Sequence, residues 1–163
     1  MSETLEAVHE YARDAATLYA HFTDSEAVKA KHEALGARNV TIVEWSTDDT
    51  GATLVFRREV PIEVPGFLKR FLQPWNTVTQ REAWRIEDVG LYHADVSVDL
   101  LGVPVRIEGT LDIGSTESGC VNDIALSVAS SVPLLGAKLA DFVAGDSGRL
   151  IEAEYRYLSN RFA

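Results

Sequence analysis

From Val40 to Val132 apolar and polar residues alternate in short stretches cut by glycine-bearing turns, and after Pro133 the period changes. In the tail, Leu135, Leu139, Phe142, Leu150, Ala153 and Tyr157 recur mostly three or four apart. Lys138, Asp141, Arg149, Glu152, Glu154 and Arg156 fall between them. Alternation sends successive side chains to opposite faces of a strand, whereas a spacing of three or four lines one stripe of a helix. The pattern therefore predicts a run of strands followed by a long helix over 133–163.

The same reading places a strand at Thr4–Tyr11, with Leu5, Ala7, His9 and Tyr11 on one side. Asp14 is a suitable N-cap for a short helix through Phe22, and Asp24 for a second over Ser25–Leu35, stopped by Gly36. Strands then follow at Arg38–Ser46 and Thr53–Val64, joined by the hairpin signal Asp48-Asp49-Thr50-Gly51. Pro65–Pro74 breaks the alternation and reads as one or two helical turns. Further strands are predicted at Thr77–Glu87, Leu91–Leu100, Val103–Ile113 and Cys120–Ser130, with turns at Asp88–Gly90, Leu101–Gly102 and Ser115–Gly119. No repeat, linker or low-complexity tract interrupts them, so residues 1–163 read as one unit.

Consecutive antiparallel strands with short turns pair as a meander. The expected class is α+β: a curved antiparallel sheet of about seven strands around a long C-terminal helix, with two short helices after the first strand. A helix laid across such a sheet can close around a cavity, which makes small-molecule binding the leading functional idea.

Strand parity says which side chains would face that helix. Tyr92, Ala94, Val96, Val98 and Leu100 share one face of their strand. Val103, Val105, Ile107, Leu111 and Ile113 share a face of the next, and Asn122, Ile124, Leu126 and Val128 of the last. Two inward faces carry charge: Leu54, Phe56, Arg58 and Val60 on one strand, and Val78, Gln80, Glu82, Trp84 and Ile86 on its neighbour. Arg58 and Glu82 are thus expected to meet, either as a fixed salt bridge or as groups that orient a ligand's polar head.

Composition narrows the partners. An apolar fraction of 46% and a charged fraction of 25% suit a globular domain with one core. The net charge of −10 argues against a nucleic-acid partner, since phosphate contacts need a basic surface. No apolar run approaches the ~20 residues that span a bilayer, so stable membrane insertion is not expected. Met1–His9 lacks a signal-peptide pattern, and Cys120 is the only cysteine, which together point to a reduced, cytoplasmic protein.

Candidate chemistry is sparse. His9 is the best general base by residue type, with an ordinary pKa of roughly 6.5, although sequence assigns it no acidic orienter. His21 and His32 lie on the short helices, and His93 has solvent parity. No histidine spacing suits a metal, and no cofactor is expected. Tyr92 and Asn122 can offer hydrogen bonds either to a ligand or to backbone near strand ends. Phe67, Leu68, Lys69, Arg70, Phe71 and Leu72, with Trp75, combine large apolar groups and two cations. They read as a gate with transient membrane contact through residues 65–75, or as an ordinary amphipathic turn. Gly145 and Gly148 predict either a bend or break in the last helix or a neighbour packed close, with Asp146 and Ser147 able to restart it.

Several strings bear a family likeness: Val78-Thr79-Gln80-Arg81-Glu82-Ala83-Trp84, Gly102-Val103-Pro104-Val105, Gly109-Thr110, Val132-Pro133-Leu134-Leu135-Gly136-Ala137-Lys138-Leu139, and the later Glu154. With the element order, they make the chain resemble the START/Bet v 1-like (SRPBCC) superfamily, the helix-grip fold. More narrowly, it resembles the largely actinobacterial DUF2505 family. Ala137 and Asp141 depart from a pattern with a second glycine and a glutamate there. The resemblance implies a pocket between sheet and C-terminal helix for a lipid-, sterol- or polyketide-like molecule, held as carrier or sensor. It carries no catalytic set. Combined with strand parity, the expected ligand-binding residues are His9, Phe56, Arg58, Phe67, Phe71, Gln80, Glu82, Trp84, Tyr92, Val96, Val105, Ile107, Asn122, Leu135, Leu139 and Phe142. Two alternatives stay open. One is a polyketide cyclase or dehydratase using His9, Glu82 or Tyr92; the other is a protein-interaction module with a vestigial cavity.

Overall fold

The computed structural model describes residues 2–163. Its helical entry is set by two aspartates. Asp14 accepts from the Thr17 backbone N–H at 2.8 Å and starts α1 (Ala15–Phe22). Asp24 accepts from Glu26 N and Ala27 N and starts α2 (Ser25–Ala34). Each replaces a partner that the first helical turn lacks. Gly36, with φ +100°, then turns the chain out of α2, a conformation that costs glycine little.

Seven strands follow the predicted order: β1 (Ser2–Tyr11), β2 (Arg38–Asp48), β3 (Gly51–Pro61), β4 (Trp75–Asp88), β5 (Leu91–Leu100), β6 (Val105–Thr116) and β7 (Gly119–Ser130). They form one antiparallel sheet in the order β1-β7-β6-β5-β4-β3-β2. The meander from β2 to β7 is as read from the turns; β1 adds itself beside β7, with Leu5 opposite Leu126 and His9 opposite Asn122. The β2–β3 hairpin is tighter than its four-residue signal, because Asp48 already pairs with Gly51. Asp48 Oδ1 accepts from Thr50 N, Thr50 Oγ1 and Gly51 N and holds the turn shut. Between β3 and β4 a 3-10 turn (Gly66–Leu68) buries Leu68, while Leu72 beyond it is also buried.

The last helix, α3 (Gly136–Arg161), packs on β1 and β7. It runs unbroken through Gly145 and Gly148, so the predicted break is absent. Asp146 accepts from Arg149 Nη2 at 2.9 Å and does not restart the helix. A side chain at Gly148 would meet Leu5 Cδ1 at 3.3 Å, which ties that glycine to the β1 contact.

Inward parity holds on the central strands. Leu54 and Phe56 on β3, Ala94 and Val96 on β5, Ile107 and Ile113 on β6, and Ile124 and Val128 on β7 are all buried. Ile86 is the exception: it lies past the last β3–β4 pair, Gly51 with Arg85, and is 37% exposed. The buried side chains form two clusters. One gathers Tyr11, Leu18, Phe22, Trp84, Ile113 and Leu158 under α1 and the end of α3. The other gathers Leu68, Leu72, Val78, Leu100, Leu139 and Val143 under the start of α3. Each fully buried leucine is worth roughly 2–5 kcal/mol against alanine. Val98 and Leu126 touch both clusters, and the space between the clusters is where packing is incomplete.

Candidate functional site: a charged cavity under the long helix

Between the two clusters lies a cavity of about 140 Å³, roofed by Ser147, Leu150, Ile151 and Glu154 of α3. Its floor is Phe56, Arg58, Gln80, Glu82, Val96, Val98, Ile107, Leu111, Ile124 and Leu126, and Val28, Lys31 and His32 of α2 close one side with the C-cap residue Leu35. A smaller space of about 60 Å³ continues toward Phe142 and Val143 and shares Arg58, Val60, Val98, Ile107, Ser147 and Leu150 with it.

The walls are apolar, but the ionisable groups of Lys31, Arg58, Glu82 and Glu154 face the space. Lys31 is 2% exposed, with Nζ 3.4 Å from Glu154 Oε2 and 4.5 Å from the centre of the Phe22 ring. Glu82 is buried, and both its oxygens are occupied: Trp84 Nε1 donates at 2.9 Å and Gln80 Nε2 at 2.5 Å. Burial pushes the Glu82 carboxyl above the usual carboxylate range, against the pull of these donors and of Lys31. Arg58 lies over the Phe56 ring at 5.3 Å, and its Nη1 is buried without a hydrogen-bond partner. Burial brings the guanidinium down to about 10, opposed by Glu154 and Glu82, so it stays charged at neutral pH. His32, 5.2 Å from the Phe56 ring, is held neutral first by burial and then by Arg58 and Lys31.

The structure brings Phe56, Arg58, Gln80, Glu82, Val96 and Ile107 together on the cavity wall, and Phe142 onto the smaller space. Trp84 lies behind that wall, reaching it through Glu82. Arg58 and Glu82 share the cavity without an ion pair; the register sets Arg58 opposite Val78 and Glu82 opposite Leu54, and Glu82 is taken up by Trp84 and Gln80 instead. The remaining expected residues sit elsewhere. His9 faces α3, with Nε2 3.1 Å from Glu152 Oε1 and its ring stacked on Tyr155 at 4.1 Å. Tyr92 stacks on Tyr19 at 4.2 Å. Asn122 is buried away from the cavity. Val105 and Leu139 fill the second cluster, Phe71 and half-buried Leu135 lie outside the cavity, and Phe67 is 55% exposed with Lys138 Nζ 5.6 Å from its ring centre. Parity finds the inward face but not the position along it, and these residues lie beyond the ends of the gap.

Sequence reasoning missed Lys31, His32, Ser147 and Glu154 as cavity residues. A signal existed: Val28, Lys31 and His32 of α2 and its C-cap Leu35 fall at the spacing of a buried stripe. Elsewhere, among the described residues, Glu87, His93 and Asp112 could offer ligand atoms to one metal ion. Both ring nitrogens of His93 are already engaged, by Asp112 at 2.6 Å and Asp95 at 3.1 Å.

A family model described as "Protein of unknown function (DUF2505)" matches residues 6–161. The chain belongs to the DUF2505 family. Its fold is the START/Bet v 1-like helix grip, shared with solved structures at low identity. TTHA0849 from Thermus thermophilus aligns with TM-score 0.68 at 14% identity, over 98% of this chain and 97% of that one. Human STARD10 aligns with TM-score 0.63 at 13% identity, over 94% of this chain and 62% of that one. Norcoclaurine synthase from Thalictrum flavum, solved in complex with dopamine and hydroxybenzaldehyde, aligns with TM-score 0.56 at 13% identity, over 100% of this chain and 90% of that one. A search of curated proteins finds no match to this DUF2505 chain. Among the described residues, no helix is long and apolar enough to cross a membrane.

Proposed function

We propose that this DUF2505 protein binds a hydrophobic small molecule in the space between sheet and C-terminal helix, as a carrier or sensor. The observation that carries the reading is an unfilled, largely apolar cavity into which Lys31, Arg58, Glu82 and Glu154 all project. Evenly apolar packing would stabilise the fold better, because taking charges out of water is costly. The norcoclaurine synthase complex supports the reading by analogy of fold.

Volume sets the ligand's size. A cavity of about 140 Å³ is below the ~300–1,000 Å³ of common ligand pockets and close to the ~150 Å³ that accepts benzene. A single ring or short chain fits the space as it stands, whereas a sterol or long acyl chain requires α3 to move off the sheet. Native mass spectrometry of freshly purified protein, with extraction and identification of any adduct, tests this directly. A stoichiometric apolar adduct is the expected result. A clean apo mass, combined with no binding of single-ring probes by calorimetry, would sink the proposal.

A second reading, a cyclase- or dehydratase-like enzyme, is favoured by Glu82 alone. A buried carboxyl held toward its neutral form suits a general acid. His9 and Tyr92 lie outside the cavity, so Glu82→Gln is the decisive variant: turnover of a bound adduct that survives it removes this reading.

A further inference from the structure

We infer that the cavity takes a small organic carboxylate whose anionic head is received by Arg58. The inference rests on the cavity being a ligand site and names the ligand's chemistry. Lys31 and Glu154 already serve each other, and both oxygens of Glu82 are filled by Trp84 and Gln80. Arg58 is left over: its Nη1 is buried and no described residue accepts from it. A buried donor without an acceptor is destabilising, and more so when it carries charge.

The side chain that carries this donor lines both the larger cavity and the smaller one that continues from it. A guanidinium matches a carboxylate with paired, charge-assisted hydrogen bonds. Around it, the side chains of Phe56, Val98, Ile107 and Leu150 offer only carbon, which suits the ring or chain behind the carboxylate. Glu154 disfavours a dianion such as phosphate, while a monoanion balances the one cation without a dedicated partner, burial holding Glu82 toward its neutral form. His32, held neutral, adds no charge.

The test is calorimetric titration of the full chain at neutral pH with phenylacetate and hexanoate, each against its neutral amide. Each acid is expected to bind one per chain and at least tenfold more tightly than its amide. Arg58→Met, which keeps an apolar stem of similar reach, is expected to cut that preference below threefold. The wild-type comparison stands even where the variant folds poorly. Equal affinities for acid and amide overturn the carboxylate inference and leave the cavity reading intact; binding of neither overturns both.

Discussion

Val98→Phe sends four extra carbons into the junction between the two spaces, because Val98 lines both. At about 0.8 kcal/mol per buried carbon, the gross gain is roughly 3 kcal/mol. Fitting a ring into a fixed wall costs about 1–3 kcal/mol, so the net effect is a stabilisation of about 1 kcal/mol. For a chain of this size that raises Tm by about 2–4 °C. Phenylalanine also suits a β-strand, so the backbone of β5 should not object. The assay is thermal unfolding by circular dichroism, paired with titration of phenylacetate. The expected pair of results is a higher Tm and at least tenfold weaker binding. A Tm lowered by several degrees would refute the premise that the space is empty and accessible from Val98. A raised Tm with unchanged affinity would move the ligand to another part of the molecule.

Burial holds His21 down to about 3, helped by Lys31 and Arg161, and holds His32 well below its ordinary value. Below pH ~6.5 the unfolded chain takes protons that the native one refuses, so stability falls as pH drops, by roughly 1 kcal/mol per unit for each histidine. For His21 this slope ends near pH 3, and above ~6.5 it vanishes. Urea midpoints that stay flat from pH 7 to 5 would contradict it. Glu82 acts oppositely: its raised value means the native carboxyl keeps its proton longer, giving stability that is lost as pH rises through the folded value. Glu82→Gln should therefore steepen the histidine slope above pH ~4.3. Asp24→Ala removes the acceptor at Glu26 N and Ala27 N and should cost about 1 kcal/mol in chemical denaturation, most of it restored by Asp24→Asn. Gly109→Ala puts a methyl 2.0 Å from Ala125 O and 2.7 Å from Leu126 Cα, so β6 and β7 must separate. A loss of about 1–3 kcal/mol is expected, and an unchanged midpoint would show that the ladder yields freely there.

Elements governed by strong local rules are legible in the sequence itself. Asp14 and Asp24 announce their helices because orphaned backbone donors demand an acceptor there, and Gly36 marks the stop by its freedom at positive φ. Alternation reveals the inward faces, and those faces carry Phe56, Arg58, Gln80, Glu82, Val96 and Ile107 onto the cavity wall. Where along each face the gap falls is not legible, since that depends on how far α3 and α2 reach over the sheet. His9 shows the difficulty: its parity points inward, yet what it meets is Glu152 and Tyr155 of α3 rather than open space. Lys31 shows another: a lysine reads as solvated until a carboxylate 123 positions away in sequence, Glu154, is brought to 3.4 Å. The helix through Gly145 and Gly148 persists because packing on β1 and β7 outweighs the ~1 kcal/mol each glycine costs.

The place of β1 beside β7 has a consequence for the order in which the molecule assembles. Strands β2 to β7 each join the next strand in sequence and can zip together progressively from hairpins. The first strand cannot take part: its partner begins at Gly119, so Ser2 waits for Ala129 and Tyr11 for Cys120. Closing so long a loop carries an entropic cost that short turns avoid, which makes this seam a late event in folding. During synthesis β1 emerges well before β7, the strand it pairs with. Until then Leu5, Ala7 and Tyr11 have no sheet to cover, and the floor beneath α3 lacks its final plank.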